Sequence, residues 1–271
     1  FIVTHSFGSD SKVLGTAGIG AISNLRAKED FPEELDAPLA DVFKQAILTG
    51  DLAMIGIATS VISTPEYEYK NLYDTIDFLY QAKDRLTLPK DNEGYQALQA
   101  AIDFFEDTTD PTPVINEYNH PIDWELVKTL PEDKKMKIIT SKGEIEIELF
   151  VDLSPGSVAN FVQLAQSGYY NNKNFHRVVP NFVAQGGCNR GDGWGGESYS
   201  IRSEFGPLKY GEGYIGMASA GKDTEGTQWF ITHSPTPHLD GKYTIFARVN
   251  NGMDIVHALE IGDKIISVQD L

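Results

Sequence analysis

The hydrophobic period of this chain changes near Met136, and no single layer of packed structure satisfies both halves. Before that point apolar residues recur at three- and four-residue spacing, as in Leu52–Ile62 and, through Leu98, Ile102 and Phe105, in Gly94–Phe105. Lys44–Leu48 and Asn71–Ala82 (Leu72, Ile76, Leu79, Tyr80) follow the same rule, with Pro65, Pro89 and Pro111 falling between the segments. Gly50 and Asp51 supply a break and a cap before Leu52. After Met136 the period is two: Ile145, Ile147 and Leu149 alternate with Glu144, Glu146 and Glu148, one strand face dry and the other wet. Ser141-Lys142-Gly143 is the turn before that strand. At 271 residues the chain holds one large domain or two ordinary ones. The change of period selects two: residues 1–134 α-helical, residues 135–271 mostly strand.

Charge divides at the same place. Residues 1–134 carry 10 Lys and Arg against 24 Asp and Glu, and residues 135–271 carry 12 against 15. The acidic first half argues against nucleic acid or an anionic membrane surface as the main partner. Solubility alone also accounts for it. No apolar run reaches the ~18 residues that a membrane span needs. The start at Phe1 reads as a processed or engineered terminus, with any targeting signal removed from view. The single cysteine, Cys188, excludes an intrachain disulfide.

Within the first half, Leu14, Gly18 and Ile19 recur 38 residues later as Leu52, Gly56 and Ile57. That step is close to the length of HEAT or armadillo units, and it suggests a HEAT-like helical repeat. Asp107–Lys135, with Pro111, Pro113, Pro121 and Pro131, is the connection, and Trp124, Leu126, Val127 and Leu130 form a short docking helix within it. In the second half one helix has a legible start and stop, with Ser154 as cap, Pro155 at the first position and Gly168 at the end. Short strands between Gly-rich loops follow to Val268, the pattern of a closed or nearly closed β-barrel.

Three blocks in the second half carry chemistry. They are Phe175-His176-Arg177-Val178-Val179-Pro180-Asn181-Phe182-Val183-Ala184-Gln185-Gly186-Gly187, then Gly216–Gly221 with Gly226–Thr232, then His238–Phe246. In content and order they resemble the signature of the cyclophilins, and the resemblance spans about residues 136–271. It implies an eight-stranded antiparallel β-barrel capped by two helices, with prolyl isomerase activity on proline-containing polypeptides and no cofactor or metal. It also implies roles. Arg177 is the catalytic guanidinium, and Phe182, Val183, Phe230 and Leu239 are the apolar proline pocket. Gln185 hydrogen-bonds the substrate backbone and helps orient Arg177, with Gln228 at the rim. Ala218 and Ser219 offer main-chain contacts, and His176, His238 and Tyr243 complete the substrate-binding set.

The reaction explains these residue types. Rotation about an X–Pro bond faces a barrier of about 18–20 kcal/mol. Reaching milliseconds from tens to hundreds of seconds requires about 10⁴- to 10⁵-fold acceleration, or roughly 5–7 kcal/mol. In the twisted state the proline nitrogen loses conjugation and accepts a hydrogen bond, so a guanidinium aimed at it binds that state preferentially. No proton moves, which gives His176 no general-base task.

Three positions depart from the family pattern. Val183 stands where many members have Met, His238 where a tryptophan is linked to tight cyclosporin binding, and Tyr243 where a histidine is common. Catalysis is expected to survive them; tight cyclosporin binding does not follow from the resemblance. Gly216–Lys222 fits a phosphate-loop pattern but has Asp223 where Ser or Thr is required, and a strand follows. Arg190-Gly191-Asp192 belongs to a Gly-rich turn. Two further expectations follow. The loops and the third block have a bacterial character, which suggests a folding factor outside the cytoplasm (periplasmic), with a cytoplasmic protein as the alternative. The rival function is a proline-peptide-binding scaffold with little turnover, the helical half recruiting a protein client.

Overall fold

A computed structural model describes residues 12–271 and divides the chain into two compact units, Phe1–Ile115 and Asn116–Leu271. The expectation about the start at Phe1 lies outside the described residues. No helix among the described residues is long and apolar enough to cross a membrane.

The first unit is helical: α1 (Lys12–Arg26), α2 (Asp36–Leu48), α3 (Leu52–Ile62), α4 (Asp77–Lys83) and α5 (Asn92–Phe105). Asp51 caps α3 through its side chain, accepting from Ala53 N at 3.1 Å and Met54 N at 3.2 Å. The apolar faces meet in one core around Phe43, Ile47, Ile55, Ile62, Leu79 and Leu98. Inside it Arg26 pairs with Asp36 at 2.6 Å, and Tyr69 donates to the same carboxylate at 2.9 Å. The helix expected over 71–82 forms only from Asp77, after a 3-10 turn at Tyr69–Asn71. Tyr73 turns inward to donate to Ala40 O at 2.8 Å and to pack on Phe78 and Phe105, which takes the intervening backbone out of helical register. Leu72 and Tyr80, placed on the buried face by the spacing, are exposed. The 38-residue correspondence is not matched by burial either. Leu14 is 54% exposed where Leu52 is 6% exposed, and Ile19 is buried where Ile57 is only half-buried.

The second unit begins before its first strand. The division falls between Ile115 and Asn116, rather than between 134 and 135, because the connecting segment packs on the strand domain. Asn119 N and His120 N donate to Ser200 O, Gln163 donates to Asp123 at 2.8 Å, and Leu126, Val127 and Leu130 lie against the core. The docking helix α6 is a single turn, Trp124–Val127, capped by Asp123 and with Trp124 exposed. A fragment 116–271 is therefore expected to melt several degrees above a fragment 135–271. Each ~1 kcal/mol lost shifts Tm by about 2–8 °C in domains of this size range. Equal melting temperatures in calorimetry would show that this packing contributes nothing.

The strands are β1 (Lys135–Thr140), β2 (Glu144–Leu149), β3 (Lys173–Asn174), β4 (Arg177–Val179), β5 (Val183–Gly186), β6 (Tyr214–Met217), β7 (Trp229–Thr232), β8 (Ile245–Asn251) and β9 (Lys264–Asp270). All pair antiparallel in one sheet of order β3-β9-β1-β2-β8-β6-β7-β5-β4. The two strands at its ends are joined by only Phe175 and His176, so the sheet has to curl until its edges come together. There are nine strands rather than eight, because this break leaves β3 on β9 and β4 on β5. The interior holds Ile138, Ile147, Phe161, Phe175, Trp229 and Phe246.

Two further helices of this unit are α7 (Pro155–Gln166) and α8 (Met253–Ala258). Pro155 and Gly168 (φ +73°) stand where the sequence puts them, but the cap does not. Ser154 spends its hydroxyl on Ile245 O at 2.7 Å, and the first amides of α7 are satisfied by Glu204 instead. That carboxylate accepts from Gly156 N at 2.9 Å and Ser157 N at 2.8 Å, a negative group at the positive end of the helix.

Candidate active site on the outer face of the sheet

Strand register lines up one row of residues. Arg177 pairs with Gln185, Gln185 with Phe230, and Phe230 with Gly216, crossing β4, β5, β7 and β6. Alternation then sends Ala184, Ile231, Trp229, Ile215 and Met217 into the barrel and this row outward. Val183, Phe230 and Leu239 are buried, but in a separate apolar cluster with Tyr210 and Ile245, onto which Phe182, Ala218 and Tyr243 pack. These aromatic and aliphatic groups are thus the floor of a surface groove and not part of the barrel interior.

The groove has a volume of about 290 Å³ and is lined by Arg177, Phe182, Val183, Gln185, Ala218, Ser219, Phe230, Leu239 and Tyr243. Phe230 is its centre. Tyr210 stacks beneath it at 5.6 Å between ring centroids, and Tyr243 meets it edge-on at 5.8 Å. Gly216 permits this approach, since a Cβ there would lie 2.0 Å from Tyr210 Oη and 2.6 Å from Phe230 Cζ. Sequence reasoning missed Tyr210, which lies outside the three blocks.

Arg177 is exposed, its guanidinium carbon 5.4 Å from the Phe182 ring centroid, and no carboxylate among the described residues pairs with it. An arginine recruited for a surface ion pair would have such a partner. Phe182 is held from behind by its carbonyl, which accepts from His233 N at 2.8 Å, while Ser234 Oγ donates to Asn181 O at 2.6 Å. On its other side it stacks with the exposed His238 at 5.3 Å.

Gln185 is a cross-strand neighbour of Arg177, but its side-chain amide turns to Gln228 rather than to the guanidinium. Its Nε2 donates to Gln228 Oε1 at 3.1 Å, and Gln228 Nε2 donates to Gly193 O at 3.1 Å. Gln228 is therefore not a rim residue. It is buried and fixes the Gln185 amide, so that the Gln185 Oε1 is the atom left to meet a peptide N–H. Ala218 donates its N–H to Gln228 O at 2.9 Å, so its main-chain contribution to a peptide is limited to its carbonyl.

His176 is likewise absent from the lining. It packs on the Gly-rich loop, where a Cβ on Gly193 would lie 3.1 Å from its ring, and neither ring nitrogen has a hydrogen-bond partner. Burial lowers its pKa below 6.5, with Arg177 adding and Asp192 opposing. Burial also lowers that of His233, helped by His257. Both rings fold neutral and bind protons more readily unfolded, so stability is full above about pH 6.5 and is lost as pH falls through that value. Tm is expected to drop between pH 7 and 5, with a shallower drop in His233→Gln. An unchanged slope in that variant would remove His233 from the account.

A protein-family model described as "Cyclophilin type peptidyl-prolyl cis-trans isomerase/CLD" matches residues 135–269. Over 134 residues the chain is 43% identical to peptidyl-prolyl cis-trans isomerase B of Bacillus subtilis (strain 168), covering 49% of this chain and 94% of that protein. Over 152 residues it is 42% identical to peptidyl-prolyl cis-trans isomerase-like 1 of the fungus Rhizopus delemar, covering 52% and 92%. Relatives at such similar identity in a bacterium and a fungus give no support to a bacterial origin. A crystal structure of a Cryptosporidium parvum cyclophilin type peptidyl-prolyl cis-trans isomerase in the presence of the dipeptide Ala-Pro aligns at 34% identity. It covers 51% of this chain and 98% of that one, with a TM-score of 0.48.

Proposed function

The chain belongs to the cyclophilin-type peptidyl-prolyl cis-trans isomerases, and on that premise we propose that Arg177, Phe182 and Gln185 perform the isomerisation over the Phe230 floor. The observation that carries this reading is the unpaired, exposed Arg177 guanidinium in the same cross-strand row as Gln185 and Phe230.

The proline ring of a polypeptide lies on Phe230 between Phe182, Val183, Leu239 and Tyr243. A main-chain N–H flanking the X–Pro bond is held by Gln185 Oε1, pre-aimed through Gln228, and the main chain at Ala218 and Ser219 adds further contacts. With the ring fixed, the free motion is the swing of the preceding carbonyl. As it turns, the proline nitrogen pyramidalises and its lone pair becomes available. A guanidinium N–H directed at that lone pair binds the twisted amide and neither planar isomer, so the contact lowers the barrier without deepening either ground state. A charged donor contributes about 1.5–3 kcal/mol, so the remainder of the roughly 5–7 kcal/mol comes from immobilising the ring in a partly desolvated groove. His238 supports Phe182 and is expected to tune binding of the flanking residue rather than turnover.

The test is the exchange rate of a short Ala-Pro peptide with the chain added. Acceleration that depends on Arg177 is expected; none at any concentration would overturn the reading. A recruiting role for residues 1–115 is a separate proposal that rests on their acidity. Their removal should then slow action on a folded client and leave the peptide rate unchanged.

A further inference from the structure

Glu225 is fully buried, and the isomerisation just described gives it no task. It lies in the loop that carries Ala218 and Ser219, ahead of β7. No cation among the described residues reaches its carboxylate, and the titratable groups that interact with it are Asp223 and Tyr210, neither of them basic.

Its hydrogen bonds have a fixed direction. Ser203 Oγ lies 2.7 Å from Glu225 Oε2, and Thr244 Oγ1 lies 3.2 Å from Oε1. Each hydroxyl is already an acceptor: Ser203 Oγ takes Asp223 N–H at 2.8 Å, and Thr244 Oγ1 takes Glu204 N–H at 2.8 Å. Each has one proton, and Glu225 is where it goes. Both carboxylate oxygens are therefore acceptors, an arrangement that fits the ionised form and not the acid. The main chain adds Ile201 N–H to Glu225 O at 2.8 Å.

Two of the three segments joined here, those of Ala218–Ser219 and Tyr243, line one end of the groove. Thr244 follows Tyr243, and its carbonyl accepts from Met217 N at 3.0 Å, directly before Ala218. Ser203 N donates to Asp223 Oδ1 at 2.9 Å, and Ala220 N to Thr224 Oγ1 at 2.9 Å, tying the loop beyond Ser219 into the same set. We propose that Glu225 is a positioning residue of the isomerase, its ionised carboxylate holding the Ala218–Ser219 rim at a fixed distance from the Tyr243 wall. The inference rests on the groove being the peptide site. Burial opposes ionisation and raises the Glu225 pKa above 4.5, against the pull of its two hydroxyl donors. Acidification then protonates Glu225 while the unit is still folded, and one of the two bonds is lost. Peptide binding weakens, and the Arg177 and Phe230 contacts persist.

The experiment measures kcat and KM of the full chain on a short Ala-Pro peptide from pH 7.5 down to the point where circular dichroism shows loss of fold. The wild type should show an acid limb in kcat/KM, carried by KM. Glu225→Gln, which presents one donor where both oxygens must accept, should raise KM on the order of tenfold at pH 7.5, keep kcat within about twofold, and lack the limb. Ser203→Ala removes a bond that favours the carboxylate, so its limb should move to higher pH. Thr244→Ser keeps the hydroxyl and should match the wild type. An unchanged KM in Glu225→Gln, or a limb that survives there at the same midpoint, would overturn the proposal. If Glu225→Gln does not fold, a Ser203→Ala limb at the wild-type midpoint overturns it. A wild type inactive at every pH defeats the assignment of the groove itself, whereas an active one indifferent to Glu225 defeats only this inference.

Discussion

Arg177→Ala should lower kcat/KM on an Ala-Pro peptide by about 100-fold while leaving the melting temperature within a few degrees of the wild type. The activity term follows from losing a charged donor to the twisted amide, about 1.5–3 kcal/mol, which is roughly 10- to 150-fold. The stability term follows from what the side chain does in the free protein. It is exposed, it has no ion-pair partner among the described residues, and its guanidinium lies over the Phe182 ring at 5.4 Å. An exposed cation–π contact contributes only about 0.5–1 kcal/mol. Arg177→Lys keeps the charge but loses the planar fork, so an intermediate rate is expected. Because the contact exists only in the transition state, the loss should fall on kcat more than on KM. A variant that retains more than a third of the activity would mean that the groove works by holding the ring alone.

Phe230→Ala should fail in a different way, losing stability and activity together. The ring is 5% exposed and packs between Tyr210 and Tyr243. Removing a buried phenylalanine costs about 3–5 kcal/mol, and each kcal/mol lowers Tm by about 2–4 °C in domains of 150–250 residues. The proline loses its floor as well, an apolar contact of about 1.5–3 kcal/mol, so kcat/KM should fall by roughly 10- to 150-fold. Gly216→Ala approaches the same floor from the opposite side. Its Cβ would overlap Tyr210 Oη and Phe230 Cζ, and overpacking of this kind costs about 1–3 kcal/mol. A Gly216→Ala protein with wild-type Tm and rate would show that the floor yields without consequence. Activity assays at matched folded fraction, set by circular dichroism, separate the two terms for both variants.

Much of the site was legible because it is local. Arg177, Phe182, Val183 and Gln185 lie within nine consecutive positions on two short paired strands and the turn between them, and Ala218, Ser219 and Phe230 within thirteen. The change of hydrophobic period likewise located the end of the helical half, because burial on one face is a property of a few adjacent residues. What was missed depends on partners distant in sequence. Glu204 caps α7 from across the unit in place of Ser154, and Tyr210 supports Phe230 from a segment with no motif. Tyr73 takes 72–76 out of a helix through Ala40, and the 116–134 segment joins the second unit through Ser200 and the barrel core. For His176 the signal was present and unused. It is the residue next to Arg177 ahead of a strand, and strand alternation sends adjacent side chains to opposite sides. Gln228 has the same parity as Phe230, so parity alone does not show it covered by Gly193.

The outermost strands of the sheet, β3 and β4, have only two and three residues, and Phe175 and His176 link one directly to the other. An enzyme that meets extended polypeptides runs a hazard its clients share: an open strand edge is a template onto which any unpaired chain can add. These two end strands are too short to offer a client a long row of free amides and carbonyls to zip along. On the proposed reading, polypeptide is engaged at one groove rather than along a strand edge, and is released when the bond has turned.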